Sequence, residues 1–163
     1  MKSIQELEEF IFNDSLTLLQ SLSETTQPIW GSMNAQQMIE HVALAVGVSN
    51  GKIDLPLLTP SEKVDRVREL NLLGNRPLPK DFKNPALPNE PMPLKEASLE
   101  ASITHLYNEL NLFQTLFKNT LDAKRTHNIF GPLNYEQWLW FHYKHLHHHW
   151  AQFGLIPYVE RFG

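Results

Sequence analysis

Trp138, His142, His145, His149 and Gln152 follow one another at offsets of four, three, four and three, a spacing that lines them up in one stripe along a helix. That stripe is where a helix normally carries the apolar residues it buries against its neighbours; here it is mostly imidazole. Buried polar groups without partners are costly. A fold built on this helix must therefore supply partners for three inward rings, and a metal ion is an efficient one. The stripe lies in a dense cluster, with five of the eight histidines between 142 and 149. The pair His145-x-x-x-His149 has Cβ atoms about 5–6 Å apart on one helix face, so both rings can reach a single ion. His147 points off the stripe, toward solvent, and His148 flanks it. Two ligands make a poor site, so a third donor has to come from elsewhere in the chain.

The chain contains no cysteine, which rules out disulfides and thiolate ligands and leaves histidine, carboxylate or water. His41 interrupts an otherwise apolar stripe (Met38, His41, Ala45) in an earlier helical segment, where a lone histidine is usually a satisfied core or boundary residue. Its pairing with the 145/149 couple makes it the first candidate. His105, with Glu109 one turn on, is the competing donor and reads as a surface or boundary residue. His127 lies in a loop, where a turn-stabilising role fits better than a substrate-side one.

The order of elements is written in start and stop signals. Ser3 with Glu6 forms a capping box opening a helix over about Ile4 to Leu22, which Gln27-Pro28 ends. Asn34 with Gln37 opens a second helix through Met38, His41, Ala45 and Val48, and Asn50-Gly51 closes it. Thr59-Pro60 starts a shorter helix to about Leu73. Residues Pro77 to Pro93 hold six of the eleven prolines, which forbids a regular helix and predicts an extended surface crossover. Phe82, Leu87 and Met92 within it predict docking on the body of the protein, as a plain connection or as a lid over a site. A long helix is expected over Leu94 to Leu121, with Ile103, Leu106, Leu110, Phe113, Leu116 and Phe117 on its apolar face. Asn134 with Gln137 caps the histidine helix, which ends at Gly154. No segment alternates with period two over a useful length. The expectation is an all-α, single-domain chain (1–163): a four-helix bundle with one short extra helix and a long proline-rich crossover.

Composition narrows the function. A net charge of −4 and small, scattered basic spots such as Lys63/Arg66/Arg68 disfavour nucleic acid. No stretch approaches the about 18 continuous apolar residues of a membrane span, and the acidic, amphipathic N-terminus lacks a signal peptide's apolar core. The expectation is a cytoplasmic protein.

Three stretches together carry a resemblance. Trp30-Gly31-Ser32-Met33-Asn34-Ala35-Gln36-Gln37-Met38-Ile39-Glu40-His41 is similar to the second-helix signature of the DinB-like superfamily. The likeness continues in His127-Asn128-Ile129-Phe130-Gly131-Pro132-Leu133-Asn134 and closes in His145-Leu146-His147-His148-His149-Trp150-Ala151-Gln152-Phe153-Gly154. The resemblance implies a four-helix bundle of unusual chain order, commonly dimeric, with a divalent metal on three histidines. One comes from the second helix and two from the last, which here are His41, His145 and His149. Glutamine three residues after the last histidine of the motif, Gln152 here, favours His149 over His148. The sequence departs from the family's pattern at Asn128, where proline often follows the loop histidine, and in the extra inward imidazole of His142.

The functional expectation is a divalent-metal protein, with zinc, nickel or iron on a nitrogen-only set, acting on a small molecule. Relatives in the superfamily include thiol-S-transferases and hydrolase-like enzymes, so a metal-dependent enzyme of that kind is the first reading. A non-catalytic metal- or ligand-binding bundle is the alternative. No acid accompanies the histidine run as in H-E-x-x-H peptidases. His142 is the candidate base or pocket-lining group, the other candidate base being a carboxylate such as Glu40, which its helix position points off the His41 face; solvent or substrate is expected at an open coordination position. The expected homodimer, implied by the resemblance, has Phe10, Phe113 and Phe117 as candidate surface, although each fits a place in the core equally well.

Overall fold

The computed structural model describes residues 2–163 except 81 and 121. The protein is mostly helical, with one two-stranded ribbon. Helical rod α1 covers residues 4–21 as Ile4–Glu9, a π-helical stretch Phe10–Asp14, Ser15–Leu18 and a closing 3-10 turn Leu19–Ser21. Helix α2 is Ala35–Ser49. Rod α3 runs through Ser61–Lys63, Val64–Val67 and Arg68–Leu73. Helix α4 is Leu99–Asn119, the ribbon pairs β1 (Arg125–His127) with β2 (Gly131–Leu133), and α5 is Tyr135–Gln152.

Three helix starts follow from their capping boxes. The backbone N–H groups of Glu6, Gln37 and Gln137 each donate to the cap side chain's oxygen, and their side-chain oxygens accept the cap residue's own N–H, which satisfies donors that the first helical turn leaves free. The long helix departs from expectation at its start. It begins at Leu99 rather than Leu94, because the Ser98 hydroxyl accepts the Ala101 N–H at 3.1 Å and sets the cap there. Its expected end at Leu121 lies outside the described residues.

The ribbon corrects the expectation of a strand-free chain. Three residues pair on each side, with His127 opposite Gly131 at the tip, too few for an alternating pattern to register in sequence. Gly131 has φ +70° and its Cβ position would lie 2.5 Å from Val64 Cγ1, so both conformation and space demand glycine here.

One contiguous apolar core runs from Leu7 to Phe162. Helix α5 is its axis, touching α1, α2 and α3, while α4 packs along α2. Trp138 and Trp150 are fully buried in it, their indole N–H groups donating to the Arg125 and Ser15 carbonyls. Phe113 and Phe117 are also core, 0% and 2% exposed, so neither offers surface for a second copy. His147 does not face solvent freely: it stacks on Phe10 at 5.4 Å and meets Phe162 edge-on. Lys144 is fully buried; its ammonium donates to the Gly74 and Asn71 carbonyls, capping the end of α3. Burial pulls its pKa down to about 8.

The proline-rich stretch is irregular, without helix or strand among its described residues, and polar ties fasten it to the helices and to the turn of the ribbon. Gln37 donates to the Met92 carbonyl, His148 to the Leu78 carbonyl, and Asn128 to the Asn84 side chain at 2.7 Å. At its end the Glu40 carboxylate of α2 accepts the N–H groups of Lys95 (2.8 Å) and Glu96 (3.1 Å).

Candidate metal centre

His41 comes from the middle of α2, and His145 and His149 from one turn of α5 near its end. Their Nε2 atoms converge: His149 to His145 is 3.0 Å and His145 to His41 is 3.1 Å. Ligand atoms of all three fall within 4.8 Å of one another. His145 and His149 are buried, while His41 is half-buried on the cavity side. Two nitrogens 3.0–3.1 Å apart, each about 2.0–2.1 Å from one ion, subtend about 95° at that ion. Both short contacts have the spacing of neighbouring ligands on one divalent ion, and the three rings together could hold one.

The protons available to the three rings cannot fill these contacts. Gln152 Nε2 donates to the Trp30 carbonyl at 2.8 Å, which turns its Oε1 to accept from His149 Nδ1 at 2.8 Å. His149 thus holds its proton on Nδ1 and presents a bare lone pair at Nε2. A proton on His145 Nε2 can serve His149 or His41, never both. No arrangement of neutral rings satisfies both short contacts, whereas one cation shared by three lone pairs does. Charging the rings is no remedy. Burial, and then the neighbouring His148, lowers the His41 pKa to about 4. Burial first, then the other imidazoles, holds His145 and His149 well below the usual range. His145 Nδ1 is buried without a partner, its ring stacked on Phe141, so this ring's bonding lies through Nε2.

The first and last motifs meet here in space. Gly31 has φ +83°, and a Cβ there would stand 2.6 Å from Gln152 Nε2. The turn before α2 is thus shaped to hold the glutamine that orients His149. Changing Gln152 to Leu should lower metal affinity about 10- to 100-fold with the fold intact. Titration with a metallochromic indicator measures this, and an unchanged affinity would remove Gln152 from the site.

The remaining histidines have other work. His142 is fully buried and is not among the residues that line the cavity. Its Nε2 lies 2.9 Å from Ser49 Oγ, whose hydroxyl donates to the Val46 carbonyl, so His142 donates and stays neutral. Burial, then His127, takes its pKa to about 3. His127 accepts the Ile129 and Phe130 N–H groups on Nδ1, which is a turn-stabilising role in the ribbon. His105 lies between Glu96 (2.9 Å) and Glu109 (3.3 Å), apart from the triad.

A cavity of about 380 Å³ opens above the three rings. One wall is α2, from Gln37 to Val48; the roof is the proline-rich stretch, including Leu78, Leu87 and Met92. The stretch thus covers the cavity, one of the two roles its sequence allows. The signal was there in Leu87 and Met92, both half-buried, while Phe82 remains 55% exposed. Glu40 reaches the cavity edge, but its carboxylate is engaged. Burial acts to raise its pKa, and the Glu96, Lys95, Gln36 and Ser102 donors outweigh it and lower it.

The arrangement defines a helical protein with a three-histidine candidate metal centre under a covered cavity. No family model, curated protein or solved structure matches this chain. Among the described residues no helix is long and apolar enough to cross a membrane.

Proposed function

We propose that this chain is a divalent-metal protein of the DinB-like class, a four-helix bundle in which His41, His145 and His149 hold one ion. The observation that carries the reading is the convergence of three neutral Nε2 atoms whose short contacts no set of protons can satisfy. A nitrogen-only set suits zinc, nickel or iron.

The cavity directly over the triad supports a metal-dependent enzyme acting on a small molecule, of hydrolase or thiol-transferase type. The ion would act as a Lewis acid, lowering the pKa of a nucleophile bound at its open position. The chain's own residues supply the rest of the site. Gln152 orients His149, and the apolar walls would hold the substrate's body. Glu40, fully engaged with four donors, is poorly placed to act as a base, and that observation favours the second reading, a metal- or ligand-binding bundle without catalysis. Metal analysis of the protein purified without a tag tests the common core of both: about one ion per chain is expected, and a metal-free preparation that also takes up none on titration overturns it. The dimer implied by the resemblance is part of this proposal; a sedimentation mass near 18.9 kDa at micromolar concentration would count against it.

A further inference from the structure

The cavity has three zones of different chemistry. Its floor is the histidine triad. Its walls are apolar, with Leu44, Val48 and Phe141 from the helices and Leu87 and Met92 from the roof. Its rim is basic: Lys80, Lys83 and Lys95 border it and all are exposed. Lys80 is held by aromatic faces, its ammonium 4.7 Å from the Trp30 ring and 4.2 Å from the Tyr158 ring, an arrangement that keeps a cation in place without neutralising it.

Acid is scarce by comparison. Among the described lining residues only Glu40 and Glu90 carry carboxylates. Glu40 is occupied by the N–H groups of Lys95 and Glu96 and the side chains of Gln36 and Ser102. Glu90 is exposed on the roof. A divalent ion on the floor adds two further positive charges, none compensated by the neutral triad. A net-positive site with low-dielectric walls draws anions in and repels cations. Its volume lies at the small end of the range for small-molecule sites.

Resting on the metal centre proposed above, we propose that the cavity binds a small organic monoanion with an apolar body. Its carboxylate, or an equivalent oxygen anion, sits on the ion at the triad, and its body lies between Leu44 and Val48 of α2 and Leu87 and Met92 of the roof. The basic rim steers it inward and gives no purchase to an ammonium compound of the same shape.

The test uses the full chain loaded with cobalt(II), whose visible bands change when a ligand joins the ion. Acetate, butanoate, hexanoate and hexylammonium are titrated in turn. Affinity should rise about fourfold per methylene buried, on the order of 200-fold from acetate to hexanoate, and hexylammonium should leave the bands unchanged. In L87S, a variant in the roof outside the helices, hexanoate should weaken several-fold with acetate nearly unaffected and cobalt stoichiometry retained. Failure to take up cobalt overturns the metal centre and this inference with it. Cobalt uptake with a flat chain-length series, or with hexylammonium binding as well as hexanoate, overturns this inference and leaves the metal centre standing.

Discussion

His145→Ala is expected to abolish stoichiometric metal binding, while His147→Ala keeps it near one ion per chain. His145 is the central ring, the one whose Nε2 contacts both His41 and His149. Its loss leaves two nitrogens on different helices, and a bidentate imidazole site has nothing else in its place. His147 belongs to the opposite side of α5, stacked on Phe10 and tilted against Tyr143, so its removal thins packing there and leaves the triad alone. Equilibrium dialysis followed by metal analysis distinguishes the two. Retention of the ion by the His145 variant together with its loss in the His147 variant would place the ligand face of α5 wrongly.

The second large effect is acid sensitivity of the metal-free protein. His127 and His142 are buried neutral, with burial taking each to about pKa 3 against about 6.5 in the unfolded chain. Between those values the unfolded state binds protons that the folded state refuses, so stability falls as pH falls through that window. At pH 5 each ring costs about 2 kcal/mol. Together they remove about 4 kcal/mol from a total that is typically 5–15. Melting temperature should drop by roughly 8–16 °C between pH 7.5 and 5 in chelator-treated protein. A flat profile over that range would mean that both rings accept protons in the folded state.

Local signals carried much of the fold in advance. The capping boxes at Ser3, Asn34 and Asn134 set three helix starts because both halves of each box lie within four residues. Ser98 escaped because its third successor is Ala101, which cannot return the bond, leaving half a signal. The ribbon escaped because three residues per strand hold too little alternation. The stripe on α5 correctly turned His142, His145 and His149 inward. It could not say that His142 would meet Ser49 rather than the cavity, since that depends on how α2 lies across α5. The same limit put Phe113 and Phe117 among candidates for exposed surface, although the packing of the other elements around α4 encloses them. The burial of Lys144 was equally out of reach, since its partners are carbonyls at the end of α3.

Glu40 and His41 are consecutive residues with unlike duties, one fastening the returning end of the roof and the other facing the candidate metal centre. Because a single peptide joins them, floor and roof are not separate parts that can drift independently. A roll of α2 that draws His41 away from α5 also drags the hinge of the proline-rich stretch with it. Vacating the floor and loosening the roof are thereby one mechanical event. The exchange rate of the ion should follow the opening of the cavity rather than the strength of any single nitrogen bond, and protection of the Lys95 and Glu96 amides from hydrogen exchange should rise when the ion is bound.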